Sequence, residues 1–436
     1  MKLFVLVVSL VMYLLVIAFS HKKAWFTLGA AALIVGAGYV ARMNGAETGF
    51  VTLGTALGEL VSWNILMIYV GSLVIADLFI YSKVPAYLAD KAVEKSPTLG
   101  IAIVAILVMT GLISAFVENV ATVLLMAPIA IELTRRLKID PTPFMIGLAI
   151  MANLQGTATL VGDPPSMIFA SFAGYSFNDF FFYQGRVSIF FAVQVGMIVG
   201  ALYLYGYFKS LKKIHVDLGE FKIVSMVPTF LLVGMIVGLA LISFLSGAGL
   251  HATSGLLCMV LAVIGLAWYK LSQKQPWSEV KDLVKRLDWE TILFLVGIFI
   301  VVGAISKVGL LDELARILND FIGGNMVLGF IVIVAVSVLI SGFVDNVPYI
   351  IAMLPVASML AKSLSLKPEL FMFGLLIGSC LGGNLTPFGA SANVVACSLV
   401  KKEGRHVGFM RWLKIAGPFT VLTTAASALF VFFVWK

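Results

Sequence analysis

Long apolar runs separated by short charged clusters make up nearly the whole chain. Runs of the roughly 20 residues that a bilayer-spanning helix needs fall near 3–20, 24–41, 61–82, 142–174, 186–208, 224–245, 250–270, 289–306, 369–400 and 414–435. The pattern predicts ten crossings, with 142–174 and 369–400 interrupted by polar residues, glycines and prolines. Two further apolar stretches, 99–137 and 326–364, each fold around a polar tip, Val-Glu-Asn-Val at 117–120 and Val-Asp-Asn-Val at 344–347. Both tips are too short and too apolar for an aqueous loop, which predicts helical hairpins that re-enter the membrane; full spans, giving twelve crossings, are the alternative.

Composition narrows the class to an all-α integral membrane protein of a cell membrane, because 61% hydrophobic and 12% charged residues leave too little polar surface for a soluble globule. The first twenty residues resemble a signal peptide but run into His-Lys-Lys without a small-residue cleavage site, so they are expected to remain as the first span. A net charge of +8 invites a nucleic-acid partner until the cations are located. With both termini outside, 22 of the 30 Lys and Arg fall on the cytoplasmic side, as the positive-inside rule requires. The three cysteines lie in apolar runs, unsuited to a disulfide framework or a metal site. The four histidines fall in loops or near span ends, and neither an HExxH nor a GxSxG motif nor a P-loop occurs, so neither an enzyme nor direct ATP drive is expected.

An internal repeat organises the chain. Residues 112–170 align without a gap to 339–397, and about 22 of 59 positions are identical, including the pairs Asn119/Asn346, Pro128/Pro355, Gly156/Gly383, Thr159/Thr386 and Gly162/Gly389. Residues 1–215 and 216–436 thus form two repeats, each with five crossings, one of them broken, plus one hairpin. An odd number of crossings turns the second copy upside down in the membrane. Inverted repeats of this kind are a design of secondary transporters, whose sites lie near the midplane between discontinuous helices.

Broken helices at membrane depth are tolerated only where protein or a wet cavity satisfies the freed backbone groups. In Asn-Leu-Gln-Gly-Thr-Ala-Thr-Leu-Val-Gly-Asp-Pro-Pro-Ser (153–166), Gly156 and Gly162 are expected to let the chain leave helical geometry, and Asp163-Pro164 reads as an N-cap and first turn. The second copy keeps Gly383 and Thr386 but sets Ala390 opposite Asp163 and Asn393 opposite Ser166, so the halves are chemically unequal. Freed carbonyls together with Thr157, Thr159, Ser166, Asn384, Thr386, Ser391 and Asn393 would make hard oxygen sites for Na⁺, with Asn119, Asn346 and Asn384 as candidate ligands; the restarted helices would aim positive ends at an anion.

Glu118 and Asp345 at the hairpin tips are intramembrane carboxylates, which default to a functional reading. No Lys or Arg lies in the tips or the breaks to pair with them. They either ionise beside a bound cation or hold protons part of the time, and Asp163 is either a coupling carboxylate or a cap. Asp77 is a weaker candidate, placed near the membrane surface beside Lys83, and Pro128 and Pro355 are expected to kink the second hairpin arms. An ion channel is the rival from another class, since broken helices also build filters.

At Ala-Phe-Val-Glu-Asn-Val (115–120), Gly-Thr-Ala-Thr-Leu-Val-Gly-Asp-Pro-Pro-Ser (156–166), Phe-Val-Asp-Asn-Val-Pro (343–348) and Gly-Gly-Asn-Leu-Thr-Pro-Phe-Gly-Ala-Ser-Ala-Asn (382–393) the sequence resembles the ion transporter superfamily. Within it, the likeness is to the branch of arsenite permeases, NhaD-type sodium/proton antiporters and the melanosomal P protein. The resemblance implies a homodimer in which a transport unit, about 99–209 with 326–436, slides as an elevator against a scaffold, about 1–82 with 224–306. Segments 83–98 and 307–325 would be the linking arms. Related dicarboxylate/sodium symporters carry Ser-Asn-Thr at the tips; here only the asparagines carry over, and Ser166 stands where the branch usually has Asn. The expected activity is Na⁺- or H⁺-driven movement of a small anion or oxyanion, arsenite-like or a carboxylate, with Na⁺/H⁺ antiport as the alternative. Na⁺ is the one cofactor considered, and the expected partners are the ion substrate, the coupling cation and membrane lipid.

Overall fold

A computed structural model describes residues 1–19, 22–44, 51–211, 222–245, 253–311, 313, 316–317 and 324–436. The boundary at 215/216 and, within the arm 307–325, residues 312, 314, 315 and 318–323 lie outside the described residues.

The first half runs α1 (Lys2–Ala18), α2 (Lys23–Met43), a short α3 (Leu53–Thr55), α4 (Trp63–Tyr81), α5 (Val84–Lys95), α6 (Leu99–Ser114), α7 (Asn119–Arg136), α8 (Thr142–Gly156), α9 (Pro164–Ala173) and α10 (Ile189–Phe208). The second runs α11 (Val227–Leu245), α12 (Thr253–Leu271), α13 (Trp277–Arg286), α14 (Trp289–Lys307), α15 (Met326–Ser341), α16 (Asn346–Ser363), α17 (Pro368–Gly382), α18 (Ser391–Lys402) and α19 (Phe409–Trp435). Among the described residues, eight helices are long and apolar enough to cross a bilayer. Boundaries recur with the repeat: α6, α7 and α9 begin 227 residues before α15, α16 and α18, and α4 begins 226 residues before α14. The first hairpin arms, α6 and α15, have 16 residues each. At 1.5 Å per residue they reach about 24 Å, less than the ~30 Å hydrocarbon core.

Packing sorts the helices into two groups. Helix α4 lies along α12, and α2 along α14, whereas α6–α10 pack chiefly among themselves and with α15–α19. Small residues set the closest approaches. A Cβ on Gly71 of α4 would sit 2.6 Å from the Cys258 carbonyl carbon on α12, and one on Gly297 of α14 would sit 2.7 Å from that of Thr27 on α2. Helix α5, on the predicted arm 83–98, buries Val84, Pro85, Ala86 and Ala89. Pro128 and Pro355 lie inside α7 and α16, the second hairpin arms.

One feature departs from the all-α expectation. Phe182–Tyr183 and Arg186–Val187 pair as a small antiparallel β-hairpin, because Gln184 and Gly185 both take positive φ (49° and 73°), the backbone that a tight two-residue turn demands.

Candidate functional site

Each broken helix is built to one plan. In the first half Thr159 Oγ1 donates to the Ala115 carbonyl at the hairpin tip; in the second Thr386 Oγ1 donates to the matching Gly342 carbonyl at 2.6 Å. The loop glycines follow suit. A Cβ on Gly162 would meet Gly156 O at 2.5 Å and Ala115 O at 3.0 Å, and one on Gly389 would meet Gly383 O at 2.6 Å and Gly342 O at 2.8 Å. Neither glycine takes a positive φ. The expectation of conformational freedom is therefore corrected: these positions, and Gly156 against the Asn119 side chain, are glycine because neighbouring groups pass too close for a Cβ.

The restarted helices also satisfy the carbonyls that the breaks release. Ser166 Oγ donates to Gly156 O and Thr157 O at 3.4 and 3.3 Å. Its repeat mate Asn393 donates to Gly383 O and Thr386 O at 2.9 and 2.8 Å. Carbonyls expected to face an ion are thus already paired with protein, and Ser166 and Asn393 do the pairing. Thr157 is buried with its hydroxyl beside the Cys380 thiol.

A chain of amides joins the halves. Ser114 Oγ donates to Asn119 Oδ1 at 2.7 Å, and Asn119 Nδ2 reaches Asn153 Oδ1 at 3.4 Å. Asn153 Nδ2 donates across the repeat boundary to Asn384 Oδ1 and Asn393 Oδ1 at 2.9 and 2.8 Å. Asn384 is further held by the Ile150 carbonyl and, through its own carbonyl, by Trp412 Nε1. Its side-chain oxygen therefore already accepts one hydrogen bond, from Asn153. Asn153 was not singled out from the sequence: its repeat mate is Cys380, so no repeated signature marks it. An asparagine buried in an apolar run was the available signal.

Against this amide chain lies a cavity of about 50 Å³ lined by Glu118, Asn119, Asn153, Asp163, Asp345, Asn346 and Ser391, with Lys23, Tyr69 and Asp288 closing it from α2, α4 and the start of α14. Of the expected residues, Gly156, Thr157, Thr159, Ser166, Gly383, Asn384, Thr386 and Asn393 stand behind this wall. The four helices that start here are capped unequally. Glu118 accepts from Ala121 N at 2.9 Å and Asp345 from Val347 N at 3.0 Å. Asp163 occupies the N-cap position of α9 yet makes no capping bond; its carboxylate turns to the Asn119 amide instead. Ala390 leaves α18 uncapped.

Asp345 has a counter-charge. Lys23 Nζ lies 3.0 Å from its Oδ2. This corrects the sequence reading, which looked for a cation only in the tips and breaks: the partner comes from a helix 322 positions away. Asp288, also missed, accepts from Thr291 N at 3.0 Å and from Tyr69 OH at 3.4 Å. Among the described residues Glu118 and Asp163 form no ion pair. Asp77 is not among the residues that line this cavity.

The cavity opens into a vestibule of about 450 Å³, which shares Lys23, Asp288, Asp345 and Ser391 and is rimmed by Phe343 and Phe388. A recess of about 460 Å³ lies on the other side of the first break, lined by Ser62, Asn64, Leu160, Ser171, Asp179, Ser243 and Ser254. Leu160, which lines it, and the neighbouring Val161 are buried.

Comparison with known sequences identifies the lineage of this two-sided site. The citrate transporter family profile matches residues 11–378 and 320–436. The chain belongs to the citrate transporter family. It is 29% identical over 425 residues to an uncharacterized transporter of Mycobacterium tuberculosis, covering 96% of this chain and 95% of that one. It is 24% identical to the P protein of Sus scrofa over 85% of this chain and 52% of the P protein, so the sequence resemblance to that branch of the ion transporter superfamily stands. Among solved structures, the Alcanivorax borkumensis YdaH transporter superposes with a TM-score of 0.64 at 11% identity, covering 94% of this chain and 97% of that one. That likeness shows the fold. With its apolar helices and these relatives, the chain is an integral membrane protein and a member of a transporter family.

Proposed function

We propose that this family member is a secondary active transporter in which Glu118 and Asp163 hold the coupling cation, Na⁺ or H⁺, while a small anion or oxyanion docks at the open N-terminus of α18 beside Ser391. A carboxylate is the cargo in keeping with the family's description. The observation that carries the reading is the meeting of three carboxylates, from both hairpin tips and the first break, in one cavity open to a vestibule on one side. A discrete set of unequal sites suits coupled transport better than a filter of equivalent carbonyls.

The inverted-repeat topology and the elevator motion belong to this proposal. The vestibule is bordered by the starts of α2 and α14, which the charge bias puts inside; the recess is bordered by the starts of α4 and α12 and the end of α11, which it puts outside. The site is then open inward and closed outward. The separate packing of α6–α10 with α15–α19 supplies a body able to slide past the rest.

Na⁺/H⁺ antiport is the second reading, favoured by a cavity that carries four carboxylates against one lysine and has room for little more than an ion and its water. Flux assays on purified protein in liposomes decide. Uptake of a labelled carboxylate or oxyanion that follows an imposed Na⁺ or H⁺ gradient supports the first reading; pH-driven ²²Na⁺ flux with no anion requirement supports the second. Gradient-independent conductance at channel rates refutes both.

A further inference from the structure

The two halves of the cavity differ in one respect that their common plan does not explain. Glu118 and Asp345 are repeat mates at the two hairpin tips, and each caps its own helix through a backbone N–H. Only Asp345 has a lysine against it, and both of its oxygens are thereby engaged. Lys23 opens α2, at the end of a helix where the macrodipole disfavours a cation. Its ammonium is 5.2 Å from the centre of the Phe294 ring, and its side chain is only 12% exposed. The second half has no Lys or Arg between Lys222 and Lys270 to do the same for Glu118. Close packing of α2 on α14 at Gly297 and Thr27 holds the lysine in place.

We propose that Lys23 is a tethered cation that takes, at Asp345, the place a mobile cation takes at Glu118 and Asp163, so that the second half of the site carries no coupling ion. The assignment deepens the proposed function and rests on its reading that the carboxylates hold cations. Lys23 acts as a specificity-determining residue: it sets how many ions the cavity accepts. The other acidic groups at its end of the vestibule are Asp288, already bonded to Thr291 and Tyr69, and Glu290.

Counting bound ions tests this. Equilibrium ²²Na⁺ binding to the purified full chain in detergent, at alkaline pH where protons compete least, is compared for wild type, Lys23→Met, Lys23→Arg and Lys23→Met/Asp345→Asn. Lys23→Met should bind one more Na⁺ per chain than wild type. The arginine variant, which keeps the charge, and the double variant, which removes the pair together, should bind the wild-type number. Lys23→Gln carries the same expectation as Lys23→Met and replaces it should the methionine variant not elute as a single species. A well-folded neutral variant that binds the wild-type number overturns the assignment, because a merely structural lysine would leave ion stoichiometry unmoved. Wild type binding no Na⁺ while Lys23→Met binds one refutes Na⁺ coupling in the proposed function and still supports the role of Lys23.

Discussion

At the scale of single residues, Asp163 carries the sharpest consequence. It sits at the start of α9 without bonding the helix backbone, so its carboxylate, turned to the Asn119 amide, is left to face the cavity. Asp163→Asn and Asp163→Ala should both leave thermal stability near wild type, since neither removes a capping bond. Both should lose cation-driven flux. A unit charge about 4 Å from a bound cation, at an effective dielectric near 20, is worth roughly 4 kcal/mol, so apparent cation affinity should fall on the order of a hundredfold or more. Flux in liposomes and melting in detergent measure the two halves of this prediction; an asparagine variant with wild-type Na⁺ and pH dependence would return Asp163 to a passive role. Asn153 behaves oppositely. Removing its amide strands Asn119, Asn384 and Asn393, and at about 1 kcal/mol for each lost hydrogen bond, more where a buried partner is left unpaired, Asn153→Leu should destabilise the protein by about 2–4 kcal/mol. A melting temperature unchanged from wild type would contradict the amide chain.

Among the elements, the broken helices are the parts most tightly specified. Each is pinned by a threonine to its hairpin tip, and its loop glycine passes over two backbone carbonyls. Backbone atoms cannot rotate aside as a side chain can. Gly162→Ala and Gly389→Ala should each cost about 1–3 kcal/mol, the usual range for forced overpacking, and the two should fall in the same range because the plan is shared. Gly29→Ala on α2, where a Cβ would meet nothing within 4 Å, is the control expected to be tolerated. Expression level and unfolding midpoint report all three. Tolerance at 162 and 389 equal to that at 29 would show that the breaks are not packed as described.

For the whole molecule, the duplicated plan and the proposed inverted insertion predict side-specific labelling. Cys380 is buried and Cys258 is buried, so Cys397 is the native thiol with the greatest access and is replaced first. In a thiol-free background, Arg136→Cys and Ser365→Cys should label from the inside and the outside respectively. Phe388→Cys, on the rim of the vestibule, should label with position 136, and Ser171→Cys, in the recess, with position 365. Labelling of 136 and 365 from one face would end the inverted-repeat reading; labelling of 388 with 365 would reverse the direction in which the site is open.

Much of this was legible in the chain because hydrophobic periodicity and repeat identity are properties of neighbours in sequence. Run lengths and polar tips marked the spans and hairpins, the offset of 227 marked the two copies, and uncompensated acids in apolar surroundings marked Glu118, Asp163 and Asp345. Tertiary structure decided the rest. The breaks read equally well as ion-binding carbonyls, and only packing showed that Ser166 and Asn393 already occupy those carbonyls. Lys23 reads in sequence as one loop-end lysine among many, and nothing in the sequence analysis singles out Asp288. They become part of the site because α2 and α14 lie together and deliver both side chains to a hairpin tip far along the chain. Local pattern determines which segments enter the membrane and where they break; which charge meets which depends on contacts between segments hundreds of residues apart, and those exist only once the helices have packed.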